Sequence, residues 1–230
     1  YATIYFVASA ILMGFVYLII PQFYSYDKLK IAKTLCNNQN VECLIKGKIY
    51  YSFYPTPRIK IKDLIINGHF KKKDTLVTVK NAEIMLSIKN LLTKEKHKFK
   101  KIKFNNFVIN LNSKNFKEYK NIFTKKNNLI PITFGEGQII LFDETNYVAT
   151  INSATLHLKF IQDSIDGTLK GKFLNDDIYV NLNSEVVNSK SYTDIILKMS
   201  NVNFLTKVSF TNSEKNKNIK NGNFLIKKGK

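Results

Sequence analysis

Residues 58–66 read RIKIKDLII, and this stretch decides the fold class. Apolar and charged side chains alternate over residues 59–62, and a period of two places every second side chain on the same face of a β-strand. The alternation changes phase at Asp63 and then continues through Leu64 and Ile66, which indicates a β-bulge within the strand. The pattern therefore predicts a strand in a sheet that buries one face and exposes the other.

The same alternation runs along the chain from about residue 43, and it changes phase a second time at Asn105 and Asn106. Clusters of Asn, Asp and Gly separate the apolar runs, so we do not expect the intervening helices of a parallel βαβ architecture. Residues 114–126 interrupt the series and predict a short helix or an ordered loop. The predicted strands are 48–53, 59–66, 76–88, 102–104, 107–111, 139–142, 148–151, 154–160, 167–173, 178–182, 195–199, 202–205 and 207–210.

These strands predict a mainly β protein, in which a long antiparallel β-meander follows the N-terminal helices. If the sheet is curved and open, its apolar face lines a groove. If it closes as a β-sandwich or a jellyroll, the same face is buried inside. The periodicity fits both arrangements because it shows only which side chains share a face.

Residues 2–20 read ATIYFVASAILMGFVYLII and contain no charged residue. About 20 such residues in a helix cross the ~30 Å hydrocarbon core of a bilayer. A cleaved signal peptide fits less well, because the apolar run is long and PQFYSYDK, which follows it, has no small-x-small cleavage motif. A buried core helix is the remaining alternative. We predict an uncleaved transmembrane anchor over residues 1–21, with tyrosines near the membrane surfaces at Tyr1, Tyr5, Tyr17, Tyr24 and Tyr26.

Residues 22–40 follow the anchor directly, and their first part, 22–36, has the spacing of an amphipathic helix. That helix either lies at the level of the lipid headgroups or packs on the following domain. Cys36 and Cys43 lie close together in the sequence, so in an oxidising compartment they can form a disulfide between the helix end and the first strand. The alternative is two unpaired thiols.

The β-domain is predicted over residues 41–213, and residues 214–230 predict a polar tail rich in Lys and Asn. One short strand is possible in this tail, at 224–226. The sequence has no initial Met and the strand series has no clear ending, so we expect it to be part of a longer chain.

The formal charge is 36 − 17 = +19, but a single arginine, Arg58, contributes to it. Proteins that read nucleic acids favour arginine, whose planar guanidinium pairs bidentately with phosphate and guanine. Abundant Lys, Asn and Ile are typical of an AT-rich genome, so we ascribe much of the charge to base composition. We expect no nucleic-acid partner; attraction to anionic lipid headgroups is the more plausible use of the charge.

Catalytic and metal-binding motifs are lacking in the sequence. It has no Ser-His-Asp order, phosphate loop, HExxH motif or Rossmann glycine pattern. Two acidic pairs, Asp143-Glu144 and Asp176-Asp177, fall in predicted turns, where Asp is favoured for local hydrogen bonding. We predict no catalytic residue, no metal site and no cofactor; the scattered histidines His69, His97 and His157 lack metal-ligand spacing.

The linear order of these features resembles the N-terminal region of the AsmA-like family. There an anchor and a short helix precede a strand opened by Gly, a Pro, and an alternating strand that ends in an acidic residue and an apolar pair. A Leu-Leu pair and a basic turn follow, and then further alternating hairpins. The matching segments are GKIYYSFYPTPRIKIKDLIING (47–68), VTVKNAEIMLSIKNLLTKEKHKFKKIKFNNFVINL (77–111), ITFGEGQIILFDE (132–144), INSATLHLKF (151–160) and IDGTLKGKF (165–173).

The resemblance implies a single-pass inner-membrane protein of a Gram-negative bacterium, with its β-domain in the periplasm. The family is similar to the bridge-like, chorein-type lipid transfer proteins, whose curved sheets form a groove for acyl chains. The implied partners are phospholipid, the inner membrane and outer-membrane or periplasmic proteins, and the implied role is phospholipid movement in outer-membrane biogenesis. The residues expected to line the groove are Ile84, Leu86, Ile88, Phe107, Ile109, Leu111, Leu156, Leu158 and Phe160.

Two other functions remain open at this stage. The chain is then either a non-enzymatic assembly factor or scaffold for outer-membrane proteins, with a closed and dry sheet, or a β-jellyroll component of a lipopolysaccharide bridge. In both, the residues expected to line a groove are ordinary core positions.

Overall fold

The computed structural model describes residues 1–36, 41–68, 75–89, 91–93, 97–115, 119, 130–161, 164–188, 190–213 and 216–228, with the side chains of 212–221 excepted. Helix α1 spans Ala2–Ile19 and continues as a 3-10 helix over Ile20–Phe23, and helix α2 spans Lys28–Cys36. Within the described residues, the segment Ala2–Phe23 is the one helix long and apolar enough to cross a membrane.

The β-domain consists of twelve strands that belong to one sheet. Together they make the protein mainly β, as the alternation predicts. The strands are β1 (Val41–Ile45), β2 (Ile49–Ser52), β3 (Arg58–Gly68), β4 (Thr75–Leu86), β5 (Phe99–Asn112), β6 (Ile132–Asp143), β7 (Asn146–Ile161), β8 (Ser164–Phe173), β9 (Asp176–Val187), β10 (Lys190–Met199), β11 (Phe204–Ser213) and β12 (Asn216–Lys228).

The sheet is open. Its strand order is β1-β3-β4-β5-β6-β7-β8-β9-β10-β11-β12, and β2 pairs with the same edge of β3 as β1 does, farther along that strand. Strand β12 pairs with β11 but not with β1, so the sheet does not close into a barrel. The prediction of an open sheet is confirmed. The alternative prediction of a closed sandwich or jellyroll is wrong, because the described strands belong to one open sheet.

One junction departs from the predicted antiparallel meander. Strands β5 and β6 pair in parallel, with Ile102 opposite Ile132 and Asn112 opposite Phe142. Parallel neighbours cannot be joined by a hairpin, because the chain has to return to the starting end of the strand. The connecting residues 113–131 include the predicted helix or loop at 114–126. A 3-10 helix covers Ser113–Asn115, and most of the remainder lies outside the described residues.

The two predicted changes of phase lie in one row that crosses the sheet. Asp63 in β3 and Asn106 in β5 have positive φ angles of 51° and 54°. Lys80 lies between them on β4, and β6 and β7 contain the same irregularity. At each position one exposed residue is inserted, and the apolar side chains after it return to the same face of the sheet. The segments 102–104 and 107–111, which were predicted as two strands, are therefore parts of the single strand β5. The row consists of Asp63, Lys80, Asn106, Glu136 and Ser153.

Two terminal elements differ from their predicted lengths. Helix α2 begins at Lys28 rather than at residue 22. Residues 22 and 23 belong to the 3-10 helix that continues α1, and the extended backbone of Tyr24 ends that helix before α2 begins. The polar tail contributes strand β12 over Asn216–Lys228, a longer strand than 224–226. Backbone pairing with β11 along this length stabilises a sequence that has a strand pattern only at 224–226.

Candidate functional site

The strand register places apolar side chains of ten strands in one transverse row, because directly paired residues point to the same face of a sheet. One residue in the row is glycine and every other residue is apolar. The row reads Ile59, Ile84, Ile102, Ile132, Leu158, Gly167, Leu182, Ile195, Val208 and Phe224.

A second row runs beside the first, two residues away along each strand. It contains a single polar side chain, Thr206. We call the surface formed by the two rows and their neighbours of the same parity the apolar face. The second row reads Ile61, Ala82, Phe104, Phe134, Leu156, Leu169, Val180, Leu197, Thr206 and Ile226.

Burial changes along the apolar face. In the first row, Ile59 is 2% exposed and Ile132 is 8% exposed, whereas Leu158, Leu182 and Ile195 are half-buried and Phe224 is 65% exposed. The second row shows the same change, from fully buried Ile61 to an exposed Ile226. We call β1–β6 the closed half and β7–β12 the open half. The two halves share one face and differ in how much protein covers them. The open half also contains the polar pair Ser184 and Thr193, whose hydroxyls are hydrogen-bonded to each other.

The closed half is a packed core beneath the N-terminal elements. Ile31, Ala32 and Cys36 of α2 belong to the same buried cluster as the strand residues, and fully buried Leu91 joins it from the segment after β4. The Sγ atoms of Cys36 and Cys43 are bonded, so a disulfide ties α2 to β1. The link adds to the contacts that hold α2 against this end of the sheet.

Aromatic rings fill the middle of the closed half. The ring of Phe134 lies 4.9 Å from that of Phe104 and 5.1 Å from that of Phe107, the latter edge-on. Gly137 makes room for this packing, since a Cβ atom there would lie 2.3 Å from the Phe107 ring. Such contacts leave no space for a ligand beneath Phe107.

The structure places the predicted groove residues in three environments. Four lie in the packed closed half: Ile84, Leu86, Phe107 and Ile109, all at most 8% exposed. Leu111, Leu156, Leu158 and Phe160 are half-buried on the apolar face. Ile88 differs from all of these, because it follows β4 outside the sheet and is 57% exposed.

Sequence reasoning missed most of the open half. Strands β7–β11 were predicted at least in part, yet no residue beyond Phe160 was assigned to the groove. The alternation within each of these strands could have identified the missed residues, because they are the apolar members of the alternating pattern and the strand register aligns them with the apolar rows. The missed residues are Leu169, Val180, Leu182, Ile195, Leu197, Val208 and Phe210.

The opposite face presents many polar and charged side chains. The neighbours of the first row's residues include Lys60, Glu83 and Lys103. Arg58 donates a hydrogen bond to Glu83 at 2.8 Å and two more to Thr56. These bonds stabilise the start of β3 against β4 and the preceding turn. We conclude that the two faces of this sheet have different chemistry.

Both acidic pairs take part in structural contacts. Asp176 is buried and accepts hydrogen bonds from the backbone N–H groups of Asn201 and Val202, so it fixes the turn before β11. Glu144 pairs with Lys114, which raises the pKa of that lysine. The described residues contain no group of three His, Cys, Asp or Glu placed to hold a metal ion, and His69 lies outside them.

The end of α1 is hydrogen-bonded to the β-domain. The hydroxyl of Tyr51 donates to the carbonyl of Leu18 at 2.9 Å, and Tyr17 donates to the carbonyl of Ile88 at 2.7 Å. Burial raises the pKa of Tyr51 to about 12, and burial likewise raises the pKa of Tyr26. The helix and the sheet therefore share a common packed junction.

The raised pKa of Tyr51 predicts a loss of stability in alkali. Between pH 10 and about 12 the tyrosine ionises in the unfolded chain but stays protonated in the folded one, so the free energy of unfolding falls as the pH rises. In denaturant titrations, we expect the free energy of unfolding to fall less steeply with pH in the Tyr51→Phe variant than in the wild-type chain. Equal slopes in this pH range would contradict the assigned cause.

No protein-family model matches the chain, and no curated protein matches it. The functional argument therefore depends on the geometry of the apolar face.

Proposed function

We propose that this protein is a membrane-anchored lipid carrier of the AsmA-like type, which holds the acyl chains of phospholipid on its apolar face. In this proposal α1 anchors the chain in the inner membrane of a Gram-negative bacterium and the β-domain lies in the periplasm. The observation that carries the proposal is the open half, where the two apolar rows continue and most of their side chains are less buried than those of the closed half. A contiguous apolar surface that other parts of the protein leave partly uncovered marks a binding site.

The energetics favour an acyl chain as the ligand. Exposing a chain of about 16 carbons to water costs on the order of 12 kcal/mol, at ~0.8 kcal/mol for each CH₂ group. An apolar surface removes this cost without bond chemistry, so a carrier needs no catalytic group. The paired residues Leu182 and Ile195 at the centre of the open half offer aliphatic side chains of the matching chemistry.

The size of the open half also suits one lipid. Its six strands β7–β12 extend about 24 Å across the sheet, at ~4.8 Å between neighbours. The acyl chains of one leaflet occupy half of the ~30 Å hydrocarbon core, or about 15 Å. An acyl chain laid across the strands therefore fits within the open half.

Two further features support the location. The segment Ala2–Phe23 has the length and apolarity of a membrane span, and the Cys36–Cys43 disulfide is typical of an oxidising compartment such as the periplasm. The open sheet argues against the closed, dry sheet that we expected of an assembly factor, and against the jellyroll of a lipopolysaccharide bridge.

The proposal is tested by photo-crosslinking with the full chain. The protein is reconstituted into vesicles of phosphatidylethanolamine and phosphatidylglycerol that carry a diazirine in one acyl chain, and crosslinked peptides are identified by mass spectrometry. We expect crosslinks on β8–β11, which are distant in sequence from α1 and its annular lipid. Ile195→Asp or Leu182→Asp is expected to abolish them, because a carboxylate cannot be buried against an acyl chain.

Ile196→Asp is the matched control. Ile196 adjoins Ile195, is also half-buried, and points to the opposite face, where it pairs with Asn181 and Lys207. We expect this variant to retain the crosslinks, with unchanged far-ultraviolet circular dichroism in all three variants. If a folded wild-type chain crosslinks only through α1, the carrier proposal fails and a scaffold for outer-membrane proteins becomes the better interpretation.

A further inference from the structure

Two segments of the β-domain contact the last turns of α1. The first is the turn at residues 53–57 before β3, where the rings of Phe53 and Phe15 meet edge-on with centroids 5.7 Å apart. The second follows β4, where the backbone N–H of Leu91 donates to the hydroxyl of Tyr17 at 3.2 Å. The strand ends nearest α1 are therefore the start of β3 and the end of β4.

These contacts fix the height of both segments relative to the helix. Phe15 precedes the last residue of α1, Ile19, by four residues, which is about 6 Å along the helix axis. Residues that bind at a membrane surface penetrate ~5–10 Å into the boundary between headgroups and acyl chains. A helix that crosses the bilayer over Ala2–Phe23 thus holds Phe53 and Leu91 at the level of that boundary.

The same two segments expose apolar side chains. Tyr54 is 76% exposed, Ile88 is 57% exposed and Leu92 is 50% exposed, and Phe23 at the end of the span is 83% exposed. The hydroxyl of Tyr24 donates to the carbonyl of Leu92 at 2.5 Å, which ties this segment to the chain that leaves the membrane. Exposed tyrosine and aliphatic side chains at this height match the composition of a membrane interface.

Positive charge lies on the same segments. Lys89 is exposed after β4, and Lys98 is exposed just before β5, where its carbonyl accepts a hydrogen bond from the backbone N–H of Ser87. Lysines close to an anionic leaflet each contribute about 1 kcal/mol of attraction. Aromatic, aliphatic and basic side chains therefore share one end of the sheet.

We propose that residues 53–57 together with 87–89, 91 and 92, which we call the basal surface, dock on the lipid bilayer and insert Tyr54, Ile88 and Leu92 among the headgroups. The inference rests on the anchoring role of α1 within the proposed function. It adds that the sheet itself contacts the leaflet, so the strand ends at Arg58 and Leu86 face the lipid and the apolar face begins at the membrane surface.

The chain contains no Trp, so single tryptophans report on depth without background. The full-length variants Tyr54→Trp, Ile88→Trp and Leu92→Trp are reconstituted into phosphatidylcholine and phosphatidylglycerol vesicles, with and without acyl chains brominated near the headgroup. Leu174→Trp is the matched control, since Leu174 is 81% exposed in the turn at the opposite end of the sheet. Phe6→Trp reports whether α1 is inserted.

We expect blue-shifted emission and loss of intensity in brominated vesicles at all three basal positions, and neither effect at Leu174→Trp. Quenching of Phe6→Trp without quenching at the basal positions would overturn the docking while leaving the anchor intact. Quenching at Leu174→Trp as well would also overturn it, because the contact would not be confined to the basal surface. An unquenched Phe6→Trp would refute both the anchor and the docking. Photo-crosslinking on β8–β11 tests the carrier proposal independently.

Discussion

Phe107→Ala is expected to lower the free energy of unfolding by about 3–5 kcal/mol, the largest effect that we predict for a single substitution. Phe107 is 1% exposed, its ring packs edge-on against Phe134, and Gly137 lies against its other atoms. Truncation leaves a cavity that these neighbours cannot fill, because each is held within its own strand. Denaturant titration of the detergent-solubilised full chain, followed by circular dichroism, measures the loss.

Phe210→Ala is the matched control for this prediction. Phe210 pairs with Thr193 on the apolar face of the open half and is only half-buried, so the same chemical change should cost about 1–2 kcal/mol. The comparison tests the division between closed and open halves directly. Equal losses for the two phenylalanines would contradict it and would indicate one uniformly packed sheet.

The second large effect is expected from the disulfide. The double variant Cys36→Ala and Cys43→Ala should lose about 2.5 kcal/mol, because the cross-link constrains the unfolded chain through a short loop. Loss of the tie also frees the end of α2, which covers part of the closed half. Titrations with and without dithiothreitol measure the difference.

The reductant supplies the internal control. It should lower the stability of the wild-type chain to that of the double variant and leave the variant unchanged. A wild-type stability that does not respond to dithiothreitol under unfolding conditions would show that the two thiols are unpaired.

Much of the fold could be predicted because each strand shows its own period of two. The runs at Ile59–Ile61 and Leu156–Phe160 specify strands with one apolar face, whatever their neighbours are. The changes of phase at Asp63 and Asn106 were also visible, since a one-residue slip would otherwise move every later apolar side chain to the polar face.

The parallel pairing of β5 with β6 could not be predicted, because it depends on where residues 113–131 lead the chain rather than on the strands themselves. The same limit applies to β12, whose polar sequence becomes a strand by pairing with β11. Pairing is a contact between distant segments, and a local pattern contains no record of it.

The candidate site divides in a similar way. Sequence alternation identified Leu156, Leu158 and Phe160 as members of the apolar face, and the structure finds them half-buried there. It also selected Ile84 and Phe107, which are apolar with the same parity but lie in the packed closed half. The alternation along a strand shows which side chains lie on the same face of the sheet, but it does not show which other parts of the protein cover that face.

By itself the sequence determined three properties of this protein: an uncharged helix of membrane-spanning length, a series of strands with one apolar face, and a pair of cysteines close enough to join. Each is set by the chemistry of neighbouring residues along the chain. Only the tertiary structure decided that the sheet stays open and that α2 and Leu91 cover one half of its apolar face while the other half stays accessible. Coverage depends on the register of twelve strands and on where the helices pack, and both arise from long-range contacts.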